Sequence, residues 1–166
     1  MACEPRYEYA LSVYAPDGTL QHVIDRQYES WTRNERVRQR YEAIMQSQAQ
    51  QFPPGTETEI EDQEQDVGEL RISPDGRIWV LPSRQMFEPE PGYFATYDVF
   101  TLDGEFTRQV RVECPGSADE DRLFFTGGDL VFQVTDFWNA VLSATGGGGE
   151  DEDAAPMEVI CYRIAD

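Results

Sequence analysis

The chain reads as an all-β protein built from antiparallel hairpins, and three observations say so. Asp-Gly pairs recur at Asp17-Gly18, Asp75-Gly76 and Asp103-Gly104, each between short runs of β-branched and aromatic residues, with Gly127-Gly128 in a fourth such place. Glycine reaches positive φ without a steric penalty, and Asp-Gly suits the two central positions of a tight hairpin turn. Apolar and polar residues alternate along most of the flanking runs, as they do on a half-buried strand. Finally, 40% apolar and 12% aromatic residues in 166 supply a packed core, which argues against wholesale disorder.

Taken in order, Tyr7, Tyr9, Leu11 and Val13 alternate with polar or small residues in a first strand that turns at Asp17-Gly18 into Leu20–Ile24. Leu70 and Ile72 lead through Ser73-Pro74-Asp75-Gly76 into Ile78-Trp79-Val80-Leu81, apolar on both faces and therefore an interior strand. Tyr97–Leu102 turns at Asp103-Gly104 into Phe106–Val112, where polar residues alternate with apolar ones and leave one wet face. Leu123-Phe124-Phe125 turns at Gly127-Gly128 into Leu130–Val134, and Val159–Ile164 is one more strand. The expectation is about nine strands.

Two segments interrupt the hairpins. Residues 30–51 have helical periodicity, with Val37, Tyr41, Ile44 and Met45 on one face and Thr32-x-x-Glu35 as a capping-box pattern ahead of them. The opposite face carries Arg33, Arg36, Arg38 and Arg40, which read either as an anion or partner site or as a helix face paired with nearby carboxylates. Residues 52–69 form an acidic loop expected to stay in solvent. Residues 145–156, with Gly146–Gly149 followed by Glu150–Asp153, read as a flexible loop within a single domain spanning 1–166.

Charge narrows the partners. The formal net charge is −19, from 32 acidic and 13 basic residues, and every basic residue is an arginine. Such a surface disfavours nucleic acid and anionic lipid, whose binding rests on cationic contacts, so neither nucleic acid nor membrane is expected as a partner. The acidity suits cations or a basic partner, or serves solubility alone. Cys3, Cys114 and Cys161 form no C-x-x-C pair, so no disulfide framework is indicated, although a Cys114–Cys161 bridge stays open. Cys161 reads as a small buried residue in its alternating run. Met1–Ala10 has neither a basic start nor an apolar stretch, so the chain reads as soluble and without a signal peptide.

The search for chemistry returns no catalytic, cofactor or metal residues. His22 is the single histidine and shares a strand register with Leu20 and Ile24, where it faces a neighbouring sheet rather than acting as a base. There is no Gly-x-Ser-x-Gly elbow and no phosphate-binding glycine loop. Asp119-Glu120-Asp121 and Glu150–Asp153 offer oxygen ligands for weak Ca²⁺ binding but lack EF-hand spacing. Trp79, Tyr93, Phe94, Phe137 and Trp138, with Arg33, Arg36 and Arg40, are the candidate partner contacts.

A hairpin containing Ser73-Pro-Asp-Gly-Arg-Ile-Trp-Val80, followed by one containing Tyr97-Asp-Val-Phe-Thr-Leu-Asp-Gly-Glu-Phe106, resembles a blade of the bacterial six-bladed β-propellers related to NHL repeats. Val13-Tyr-Ala-Pro-Asp-Gly-Thr-Leu20 is similar to an outer hairpin of that family, and Leu123–Asp136 with Val159–Ala165 to its closing blade. Six four-stranded blades need about 24 strands. The resemblance therefore implies a partial propeller of antiparallel four-stranded blades with one helical insertion, either a fragment or a reduced relative. It implies a non-catalytic scaffold or binding module that meets a protein partner or its own copies through open sheet edges. The alternative it offers is a metal-dependent hydrolase of the gluconolactonase-like type, for which Asn34 and Asn139 are the only asparagines available as amide ligands. Intact relatives imply an exported or cell-envelope setting.

Overall fold

The computed structural model describes residues 2–3, 7–48, 53, 55–57, 59–73, 75–126, 129–144 and 156–163. Among them the chain is mostly β, with ten strands in three antiparallel sheets. The first sheet joins β1 (Ala2–Cys3), β2 (Ala10–Tyr14) and β3 (Leu20–Asp25) in sequence order. The second is a four-stranded meander of β4 (Val67–Ile72), β5 (Ile78–Pro82), β6 (Ala95–Phe100) and β7 (Phe106–Val112). The third holds β8 (Arg122–Phe125), β9 (Leu130–Val134) and β10 (Val159–Arg163), with β9 in the middle. All nine strands read from the sequence are present; the two-residue β1 is additional.

Helix α1 (Glu35–Gln48) lies inside the expected segment, but its cap is Asn34, not Thr32. The Asn34 side-chain oxygen accepts the Val37 N–H at 3.0 Å, while Thr32 is taken up in a bridge with Gln63. Two further helices, α2 (Ser83–Phe87) and α3 (Phe137–Ala144), were not foreseen. α2 is one turn after Pro82, and the aromatic start of α3 carries no strand alternation, so neither has the length that makes helical periodicity visible.

The chain divides into two compact units, Met1–Thr32 with Gln63–Ser117, and Arg33–Asp62 with Ala118–Asp166. In the first unit, Tyr9, just before β2, and Leu11 and Ile24 of the first sheet form one core with Ile78, Val80 and Phe100 from the second. Register explains the membership: Leu11 pairs with Ile24 and Ile78 with Phe100, so each pair projects to one face. Burying each of these side chains stabilises the unit by about 1.5–3 kcal/mol. β6 is buried at every residue, as expected of a strand covered on both faces and both edges.

The second unit contains α1, the third sheet and α3. Its sheet repeats the order of the second: a hairpin (β8-β9), then a helix (α3), then a third strand (β10), as β4-β5, α2 and β6 run in the first unit. Among the described residues it has no counterpart of β7.

The turns correct one expectation. Gly18 N–H bonds to the Ala15 carbonyl and Ala15 N–H to the Thr19 carbonyl, and the same pair of bonds recurs at Ser73/Gly76/Arg77 and Thr101/Gly104/Glu105. Each loop is therefore three residues long, and only its glycine has positive φ: 86° at Gly18, 77° at Gly76 and 92° at Gly104. Asp precedes the left-handed position instead of sharing a two-residue turn with glycine, the arrangement of a type I turn closed by a glycine bulge. Gly127-Gly128 lies outside the described residues, although Thr126 N–H donates to the Leu130 carbonyl across it at 3.3 Å.

The acidic loop is shorter than expected. Glu64 and Asp66 are buried, Glu64 N–H donates to the Trp31 carbonyl at 2.9 Å, and β4 already begins at Val67. Backbone pairing with Trp31 and Thr32 draws these carboxylates in despite their charge. Cys161 is exposed, not buried, because Ile160 and Tyr162 form the inward set of β10 and Cys161 falls with Val159 and Arg163 on the other. A one-residue change of phase exchanges the two faces of a strand. Residues 145–155, including Gly146–Gly149 and Glu150–Asp153, lie outside the described residues.

Candidate functional site

The most concentrated polar chemistry of the first unit lies at Asp98, the one charged residue in the apolar run of β6. Its register opposite Val80 and Gln109 turns it toward the face that packs on the first sheet. There the fully buried carboxylate accepts from the Tyr9 hydroxyl at 2.9 Å, from Gln109 Nε2 at 3.0 Å and from the Arg26 guanidinium, with which it is also ion-paired. Arg26 lies over the Tyr9 and Phe106 rings at 5.8 and 5.6 Å. Burial, and then the adjacent Asp98 charge, raise the Tyr9 phenol far above the ordinary tyrosine range, so it stays protonated as a donor. This group is a closed polar clasp with each partner already engaged.

Asp119 and Asp121 play a similar part in the second unit. Arg36 and Arg40 of α1 both reach Asp119: Arg36 through a close ion pair, Arg40 by donating to its carbonyl at 2.7 Å. Asp121 accepts from Gln133 Nε2 at 2.7 Å and from the Asp136 N–H at 2.8 Å, and Gln133 Oε1 in turn accepts from the Tyr162 hydroxyl at 2.9 Å. Asp119 and Asp121, considered as oxygen ligands for calcium, are thus held by protein donors, while Glu150–Asp153 lie outside the described residues. Among the described residues, no group of three or more His, Cys, Asp or Glu is arranged to hold a metal ion.

The candidate contact residues are dispersed. Trp79 packs against Tyr97 on the second sheet at 5.8 Å, Tyr93 lies under Arg111 at 5.4 Å, and Phe94 is 2% exposed and therefore a packing residue. Phe137 and Trp138 meet edge to face at 5.3 Å and, with Phe124, surround the Arg122 guanidinium at 5.3–5.9 Å. Arg33 sits 4.3 Å from the Tyr41 ring and donates to the Glu61 carbonyl at 2.6 Å; Arg38 pairs with Asp62. Arg33 and the arginines of α1 are engaged with carboxylates, carbonyls and an aromatic ring of their own unit. His22 is half-buried beside Gly104, with its Cδ2 3.7 Å from where a Cβ on that glycine would stand.

Sequence reasoning missed Arg26, Asp98 and Arg122. A signal existed for Asp98, since an acid inside an apolar interior strand needs partners. Nothing local marked Tyr9 and Arg26 as those partners, 89 and 72 residues away.

What the described residues leave open is backbone. β7 and β10 are outer strands of their sheets, and both are largely exposed. No helix among them is long and apolar enough to cross a membrane. Comparison with known proteins finds no matching family model, no matching curated protein and no matching solved structure.

Proposed function

We propose that the chain is a non-catalytic binding module built from sheets of the β-propeller blade kind, engaging a protein partner through open sheet edges. The observation that carries the reading is how the buried acids are used. Asp98, Asp119 and Asp121 are each occupied by arginine, amide, hydroxyl or backbone donors, which suits them to hold the fold and not to hold an ion or move a proton. Consecutive antiparallel meanders, one of them four-stranded, support the blade comparison.

Isothermal calorimetry with Ca²⁺, Mg²⁺ and Zn²⁺ tests it on the full chain. The expected result is no stoichiometric binding tighter than about millimolar, the range of loosely organised carboxylate sites. Tight one-to-one binding of any of the three would overturn the reading in favour of a metal-dependent hydrolase.

A further inference from the structure

Among the described residues the third sheet stops one strand short of the second, and the strand left at its edge is built to be covered. In the second sheet the third strand, β6, has β7 beside it and is buried throughout. β10 holds the third place in its own sheet, yet Val159 is 65% exposed and Cys161 and Arg163 are exposed with it.

Its backbone polarity follows from one bond. Thr135 N–H donates to the Glu158 carbonyl at 3.0 Å, and the Glu158 N–H bonds back to Thr135 Oγ1 at 2.9 Å. Antiparallel ladders alternate, so residues 160 and 162 also turn their N–H and C=O toward β9, opposite Gln133 and Val131. The N–H and C=O groups of Val159, Cys161 and Arg163 then point to the open side. β10 lacks the usual guards of an edge strand: it contains no proline, its register against β9 is continuous from Val159 to Arg163, and its one charge is at the end.

We propose that the outer edge of β10 docks one extended, basic segment of a protein partner, which completes the sheet as a fourth antiparallel strand. The proposal rests on the binding-module reading and names its site and the chemistry of its ligand. Charge selects the partner: this chain carries −19, so a second copy is repelled while a segment bearing arginine or lysine is attracted. The strand in the corresponding place of the complete sheet has that character: it carries Arg108 and Arg111, both exposed, beside half-buried Val110 and Val112, and no acidic residue. Main-chain bonds would supply affinity and alternate side chains selectivity, as in strand addition generally.

The probe is a peptide with the sequence of Phe106–Val112, titrated into the full chain while amide hydrogen exchange is followed by NMR. The expected result is saturable binding that slows exchange of the Val159, Cys161 and Arg163 amides by about tenfold or more. Cys161→Pro removes an outward N–H without touching the ladder to β9, and should weaken binding by about tenfold. If that variant does not fold, Cys161→Lys sets a like charge against the peptide and should weaken it too, with high salt restoring part of the loss. The proposal is overturned if those amides do not respond, if a peptide with both arginines replaced by glutamate binds equally well, or if protection depends on protein concentration alone, which would make a second copy the occupant. Any of these outcomes with metal titrations still blank would leave the module reading standing and move its contact to another edge; tight metal binding would remove the reading itself.

Discussion

At the scale of single residues, the buried acids differ in how completely they are answered. Asp98 has three side-chain donors, whereas Asp66, 1% exposed, has one carboxylate oxygen without a partner. Burial raises the Asp66 carboxyl above the ordinary range; the Ser30 hydrogen bond opposes this and the Glu8 charge adds to it. A carboxyl whose folded value lies above its unfolded one stabilises the fold below the unfolded value, and that contribution is lost as pH rises through the folded value. Asp66→Asn should therefore raise the melting temperature at pH 7 by roughly 2–4 °C, the shift of about 1 kcal/mol in a chain of this size. The gain should vanish near pH 3. Melts of both proteins across that range check it, and a gain that persists in acid would place the effect outside the Asp66 charge. Asp17 and Asp75 behave oppositely: hydrogen bonds from Thr19 and Ser73 respectively hold both below the ordinary range, which is why the difference between the two proteins, and not either profile alone, isolates Asp66.

Among the elements, the hairpin turns were the most legible part of the sequence, and even there only the glycine was placed correctly. Its requirement for positive φ is local, so it survives translation into structure; whether the turn has two or three residues depends on bulges in the flanking strands, such as those at Val13/Tyr14 and Val99/Phe100. The three glycines also differ in a way no sequence pattern shows. A Cβ on Gly18 would meet nothing within 4 Å, while one on Gly104 would come 2.9 Å from Ile24 Cγ1, a methylene carbon of a core side chain. Gly18→Ala should cost about 1 kcal/mol, the penalty of the left-handed conformation alone. Gly104→Ala adds a displaced core residue, so about 2–4 kcal/mol is expected in urea unfolding. Equal costs would mean that Ile24 yields freely. The edge of β10 was hidden for a related reason: alternation marks two faces of a strand but not which one is inside, and Cys161 was assigned to the wrong one.

For the whole molecule, charge and topology set the behaviour. With a formal −19, lengthening or shortening the screening distance changes self-repulsion more than it changes exposed ion pairs, which contribute little singly. Raising salt from about 0.01 M to about 1 M should increase the melting temperature, and a decrease would mean that the ion pairs outweigh the repulsion. The all-β class and the succession of hairpins were legible because each hairpin is contiguous. The clasp at Asp98 and the division into two units were not, because both depend on segments far apart in the chain. That division has a practical consequence for rebuilding the protein. Residues 33–62 leave and return at Thr32 and Gln63, which already face each other as bridge partners. Foreign sequence grafted at this seam would enter and leave between two adjacent antiparallel backbones without stretching either, whereas excising the segment would also take Arg36 and Arg40 away from buried Asp119.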